Sequence, residues 1–287
     1  MHFLILSVLC SVAVSVLLRR AKQWKVDATQ AVTWNYAMAA TLCAVLLKPS
    51  LQPLRESGAP WPEILILAIA LPAIFLVFAR TLNLAGIARS DAAQRLSLLL
   101  SLSAAFLFFG EKINAFKLAG LAVGALALLG ILSKPAQSSV AWKQVWPWLF
   151  GVCAGYAFID ILLKRIALHG VASMAALQIS FILAFGLMLS WQLVNAWRGK
   201  VRLSVRNLLA GLFLGALNLG NIFFYVKAHQ AFSHSPSTVF ATMNVGVVAL
   251  GTLVGVLVFK EKTSTWNRVG LGLAVVSILL VAIGAKS

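Results

Sequence analysis

The chain is poor in charge, and poorest in acids. Of 287 residues only 11% are charged, and seven Asp and Glu stand against 24 Lys and Arg. Soluble domains carry about 25% charged residues. A chain that is 61% hydrophobic has too little polar surface to fold in water, so its solvent is lipid. A membrane-spanning helix needs roughly 20 mostly apolar residues. Ten such helices consume nearly the whole sequence and leave no room for a soluble domain.

The scarcity of acids also excludes chemistry. No two acids lie within four residues of each other, so the carboxylate cluster of metal-dependent prenyl chemistry is missing. There is no Ser-His-Asp set, no His-Glu-x-x-His and no Walker sequence. Nothing here predicts an enzyme, a metal site or a cofactor. The three cysteines, Cys10, Cys43 and Cys153, sit singly inside apolar runs and read as small buried hydrophobes. The start, Met1-His2-Phe3, lacks the basic region of a cleaved signal, and Leu9 before Cys10 does not suit a lipoprotein site. The first helix is expected to be retained. A net charge of +17 would suggest nucleic acid in a soluble protein. In this one the basic residues fall in connections, where they hold loops at the cytoplasmic face and meet anionic lipid.

Ten apolar runs can be marked, near 2–18, 29–47, 62–83, 88–109, 113–132, 145–166, 172–196, 206–228, 235–258 and 265–284. The break between the third and fourth rests on Asn83, Gly86, Arg89 and Asp91. Glycines four apart (Gly120 and Gly124, Gly151 and Gly155, Gly211 and Gly215, Gly251 and Gly255) make small faces on which helices can pack closely. That use is expected within the chain; a homodimer face is the alternative to a monomer.

The second half repeats the first. Phe109-Gly110-Glu111-Lys112 closes the fourth run and Phe259-Lys260-Glu261-Lys262 closes the ninth, each before a glycine-rich helix. Leu17-Leu18-Arg19-Arg20 matches Leu162-Leu163-Lys164-Arg165, and Phe78-Ala79-Arg80 can be laid on Tyr225-Val226-Lys227. The predicted organisation is one five-helix repeat over 1–133, a connection over 134–144, and a second repeat over 145–287. Five crossings is an odd number, so the second repeat enters from the opposite face. The expected fold is an all-α integral membrane protein of ten transmembrane helices in two inverted five-helix repeats, the symmetry behind alternating access.

With Gly110-Glu111-Lys112 and Lys260-Glu261-Lys262 at equivalent places in a five-plus-five layout, the chain resembles the EamA type of the drug/metabolite transporter superfamily. The resemblance covers essentially the full length. It implies alternating-access transport of small metabolites, often efflux of amino acids or related compounds. Lys260 stands where the pattern has Gly. The first run carries no acid, unlike the small multidrug-resistance relatives.

Ionisable and amide groups inside spans are costly and face protein or a water-filled cavity. Candidates for solute contact are Asn35, Tyr36, Gln94, Arg95, Gln178, Asn218, Asn221, Tyr225 and Asn244. Asn218, Asn221 and Tyr225 follow at i, i+3 and i+7, on one helix face; inter-helix bonding is the competing use. Asp91 with Arg95, and Asp160 with Lys164, show the i, i+4 spacing of a pair. A structural pair is the favoured reading of Asp160. Arg80 and Lys227 are read either as snorkelling cations or as charges at two cavity mouths. With Asp91 and Asp160 they form the candidate mouth or coupling charges. His229 and His234 show no metal spacing.

The expected function is secondary transport of a small polar or zwitterionic, amino-acid-like solute across a bacterial inner membrane, as an exporter. A flippase for a lipid-linked or amphipathic substrate is the alternative, and a non-transporting membrane partner a third class. Partners are then the solute and membrane lipid. Tracing loops alternately, most of the Lys and Arg fall on the face reached after the first helix, with Arg19, Arg20, Lys22 and Lys25 at their head. Basic loops stay in the cytoplasm. Both termini are therefore expected in the periplasm, opposite to the usual family arrangement.

Overall fold

The structure, a computed structural model, describes residues 2–56, 58–109, 114–131, 142–232, 236–262 and 264–284. The Gly110-Glu111-Lys112 element, His234 and most of the 134–144 connection lie outside these. Each apolar run is a helix: α1 His2–Ala21, α2 Ala28–Leu42, α3 Trp61–Ala85, α4 Ile87–Phe109, α5 Ala115–Ile131, α6 Trp142–Leu168, α7 Ser173–Trp197, α8 Val205–Ala231, α9 Pro236–Leu257 and α10 Thr265–Gly284. A π turn, Cys43–Leu47, extends α2. Among the described residues, eight helices are each long and apolar enough to cross a membrane. The other two are α5, the shorter apolar helix, and α4, which carries Arg89, Asp91 and Arg95 in its first three turns.

The break between the third and fourth runs is a single residue. Helix α3 ends at Ala85 and α4 begins at Ile87. Gly86 between them has φ +89°, and a Cβ there would lie 2.5 Å from the Glu261 carboxylate. Glycine is needed for both the angle and the close approach. Arg89, Asp91 and Arg95 are thus helical residues of α4.

The main packing partners of the helices repeat when every helix is exchanged for the one five places on. Helix α1 packs on α8 and α6 on α3; α4 packs on α6 and α9 on α1; α4 meets α5 and α9 meets α10. Helices α2 and α7, α4 and α9, and α5 and α10 each meet their own counterpart. The α5–α10 pair makes this chemical. Asn114 at the head of α5 accepts from the Lys117 amide at 2.9 Å and donates to the Gly284 carbonyl at 2.7 Å. Asn267 at the head of α10 bonds with Ser264 and donates to the Gly130 carbonyl at 3.1 Å. Asn114 caps α5 itself, Ser264 caps α10 through the Asn267 amide, and each asparagine closes the far end of its partner helix, leaving fewer bare backbone groups in an apolar setting. Five crossings per half reverse the second half, so the repeat is inverted.

The small faces are used within the chain. A Cβ on Gly211 or Gly215 of α8 would come within 2.5 Å of the Ala31 or Asn35 carbonyl of α2. Gly124 of α5 lies against Leu99 and Ser277, and Gly130 against the Gly270 backbone.

Alternate crossing puts both chain ends on one face of the membrane, the near face. The far face is heavily bonded. Asp27 caps α2 through the Gln30 amide at 2.8 Å, and Asn207 of α8 bonds to both residues. Arg19 donates to the Leu82 carbonyl, and Arg20 lies over the Phe259 ring at 5.5 Å. At the tail of α9, Glu261 accepts from the first amides of α4, Ile87 at 2.7 Å and Ala88 at 3.3 Å. A carboxylate there satisfies orphan donors and the positive helix end. Lys260 just before it has φ +52°, the left-handed turn that suits the glycine of the repeated motif.

Two substitutions follow with opposite signs. Glu261→Ala should lower stability by about 1–2 kcal/mol, the range of a lost helix cap. Lys260→Gly should raise it by about 1 kcal/mol by relieving the left-handed residue. Thermal unfolding of the purified protein in detergent reads both. An unchanged melting temperature in Glu261→Ala would show that the cap carries no stability.

Candidate functional site

A cavity of about 760 Å³ runs inward from the near face. Its walls come from α2, α3, α4, α6, α7 and α8. Met174 at the head of α7 and Gln230 near the tail of α8 lie towards its mouth; Gln94 and Tyr156 lie at its inner end. Apolar side chains line most of it, including Leu71, Phe75, Leu177 and Phe181. Tyr36 is buried in this wall, its ring 6.5 Å from Phe75 and 5.9 Å from Phe181. The inner end adjoins two polar spaces. One, of about 260 Å³, is bounded by Gln94, Arg95, Asp160, Asn221, Tyr225 and Asn244. The other, of about 80 Å³, is bounded by Ser11, Ser15, Gln94, Arg95, Tyr156 and Asn218 among others.

Arg95 is the cation at this end. Its guanidinium donates to Ser11 Oγ at 2.9 Å and to Asn244 Oδ1 at 3.4 Å, and its Nε has no partner. Asn244 in turn donates to the Phe240 carbonyl at 2.8 Å. Asp160 supplies the negative charge. Its Oδ2 accepts from Ser101 at 3.3 Å. Asp160 therefore reaches Ser101 of α4 and faces the cavity. The Glu63–Arg165 pair, at 3.2 Å, closes a different part of the near face.

Asn218, Asn221 and Tyr225 all face the cavity from α8, yet two of them also bond between helices. Asn221 donates to the Ser7 carbonyl at 2.8 Å, and Ser7 Oγ donates to the Asn221 carbonyl at 2.9 Å. Asn218 donates to Asn35 Oδ1 at 3.3 Å. Tyr225 stacks edge-on against His229 at 4.6 Å, and both line the cavity.

Other candidates lie outside it. Asn35 is buried between α2 and α8 behind Asn218. Gln178 is buried and donates to the Ala40 carbonyl at 3.2 Å. Arg80 lies over the Trp148 ring at 5.8 Å on the far face, and Lys227 sits 5.8 Å from the Phe223 ring. Neither cation lines the cavity, because long stems carry such charges outward. Asp91 is fully buried beyond the cavity, towards the far face, where it accepts from Ser15 Oγ at 2.7 Å.

Sequence reasoning passed over two features. Tyr156 lines all three spaces. It stands one helical turn before Asp160, and the chain has only three tyrosines, all of which line the cavity. The second is a serine ladder on α1. Ser7, Ser11 and Ser15, four residues apart, bond to Asn221, Arg95 and Asp91 respectively. Their spacing was the available signal.

Comparison with known proteins agrees with this architecture. A crystal structure 16% identical in sequence matches 98% of both chains with a TM-score of 0.59, so the two share a fold. An uncharacterized protein of Haemophilus influenzae is 43% identical over 278 residues, 94% of each chain. Residues 1–133 match the EamA-like transporter family. The ten-helix inverted architecture, the capping Glu261 and the polar-ended cavity accompany that match: the chain belongs to the EamA-like transporters of the drug/metabolite transporter superfamily.

Proposed function

We propose that this membrane transporter moves a small zwitterionic metabolite by alternating access, outward across the bacterial inner membrane. The observation that carries the reading is the inner end of the cavity. A single guanidinium, Arg95, and a single carboxylate, Asp160, share one 260 Å³ space with Gln94, Asn221 and Tyr225. Groups of both signs there suit a solute with a carboxylate and an ammonium. The apolar and aromatic wall between them and the mouth suits an uncharged body. A simple cation or a simple anion would leave one of the two charges uncompensated in a low dielectric.

Alternating access is supported by the neighbour exchange between halves. A fold whose main packing pairs survive that exchange has a second arrangement, with the two halves' roles swapped and the cavity on the other face. The arrangement seen has the near face open and the far face closed by Glu261, Arg19 and the Asp27–Asn207 network. With the basic far face in the cytoplasm, this is the outward-open form.

A lateral groove of about 740 Å³ lies between α1, α8 and α9, and shares no lining residue with the cavity. Its wall is apolar apart from Arg206 at one end. It gives a lipid headgroup no polar path, so the flippase reading gains nothing from it.

Two measurements test the proposal. In proteoliposomes screened with a panel of amino acids, amines and carboxylates, the wild type should move zwitterions. Arg95→Gln and Asp160→Asn should each cut that flux at least about tenfold, the scale of one lost charge-assisted hydrogen bond. Transport of simple amines by the wild type, or unimpaired flux in both variants, would overturn the assignment. For orientation, alkaline phosphatase fused after Ser287 should be active and green fluorescent protein at the same place dark. The reverse pattern would put the near face, and the open cavity, in the cytoplasm.

A further inference from the structure

Asp91 is 1% exposed, inside a membrane-spanning helix. Its Oδ1 accepts one hydrogen bond, from Ser15, and its Oδ2 has no partner. A Cβ on Gly251 of α9 would lie 2.6 Å from that oxygen, so the glycine leaves room for an acid where α1, α4 and α9 meet. A purely structural carboxylate would be expected to have both oxygens bonded. Ser15 also lines the 80 Å³ chamber, together with Arg95, Gln94 and Tyr156. That chamber adjoins the cavity and is large enough to hold water. The path therefore runs from cavity to chamber, from chamber to the Ser15 hydroxyl that lines it, and through that hydroxyl's hydrogen bond to Asp91.

We infer that Asp91 is a reversible proton-binding site, loaded from the cavity through Ser15. In the transfer a hydronium in the chamber gives a proton to Ser15 Oγ while the Ser15 hydroxyl proton passes to Asp91 Oδ1. The hydronium becomes water, the carboxylate becomes a carboxylic acid, and Ser15 is unchanged. A proton fits better than a sodium ion. Sodium sites in such folds draw on backbone carbonyls of broken helices, whereas α1 and α4 run unbroken past this point.

The charges facing Asp91 give the site a consequence. Arg95, one turn along α4, and Glu261 from the tail of α9 act on it. Tyr156 of α6 is the titratable group across the chamber, α3 presents Phe78 there, and α9 presents Gly251. Arg95 is the cation that both Asp91 and the cavity can use. A proton on Asp91 frees Arg95 for a solute carboxylate, so proton and solute favour each other's binding by the same factor. This last step rests on the transport reading; the proton site itself does not.

The test accordingly uses no solute. The infrared C=O stretch of protonated carboxyl groups is followed against pH in the purified full-length protein. The wild type should show a titrating band that is lost in Asp91→Asn and kept in Asp160→Asn. Arg95→Gln should move the midpoint of the surviving band upward by about one pH unit, the effect of removing a nearby opposite charge. Ser15→Ala should shift it the same way through loss of its donated bond. These two variants keep the carboxylate and serve if Asp91→Asn does not fold. A titration unaltered in Asp91→Asn, or unshifted in both other variants, would overturn the proposal. So would a band that disappears when sodium replaces choline, which would make the site a sodium site. If the band behaves as expected and no zwitterion is moved, the transport reading fails and the proton site stands.

Discussion

Inside lipid a polar group has no water to turn to, and a helix cannot hide it alone. The polar interior of this protein follows from that constraint. Arg95 has no acid bonded to it; it is held by the hydroxyl of Ser11 and the amide of Asn244. Asn221 is held by Ser7, and Asp91 by Ser15. One face of α1 thus provides a hydroxyl for three costly groups of α4 and α8, Asp91, Arg95 and Asn221. The two helices opposite it can carry an arginine, an acid and an amide because α1 is there. Neutral partners also leave the arginine without a bonded counter-ion, so its charge is shared among Asp91, Asp160 and the cavity. An ion pair bonded at close range would have spent it.

The repeat accounts for the scaffold and leaves the site asymmetric. Helix α5 and helix α10 clamp one another with matching asparagines. The charges have no such counterparts. Arg95 and Asp91 lie on α4, while the corresponding helix α9 offers Asn244 and Gly251. The second half contributes the acid Asp160 on α6, whose counterpart α1 offers serines. A scaffold with an inverted repeat therefore carries a candidate site that is single. On the proposed alternating-access reading, the scaffold exchanges its open face while the same charged groups serve both forms.

The sequence made the scaffold readable because its signals are long. Ten apolar runs and a motif placed twice sufficed for ten helices in inverted halves, and the runs coincide with the helices within a few residues. The site was readable only in part. Arg95, Gln94, Tyr225 and the Asn218–Asn221 face stood out because polar residues within apolar runs are rare. Tyr36 stood out likewise. Gln178 and Asn35 carry the same signal but spend their hydrogen bonds between helices, and one sequence cannot separate these uses. Arg80 and Lys227 matched in position because both end a span, where snorkelling accounts for them. Asp160 and Lys164 have the spacing of a pair, but helical spacing does not say that Asp160 also reaches a serine on α4. Serine is too common and too small to be noticed, so the ladder on α1 emerged only in three dimensions.

The closed far face and the polar end of the cavity are joined through α4. Its first two amides are held by Glu261, its second turn holds Asp91 and its third Arg95. The helix follows α3 across one glycine whose backbone touches the same glutamate. Any movement that frees the head of α4 from Glu261 must therefore carry Asp91 and Arg95 with it, since an unbroken helix transmits displacement along its axis. Ser15 and Ser11 stay on α1, which Arg19 ties to the tail of α3. Opening the far face by this route would shear α4 past α1 and break the bonds that hold the acid and the arginine in place. On the proposed reading, the groups that bind and the groups that seal are successive turns of one helix, so occupancy of the site biases the seal without any further linkage between them.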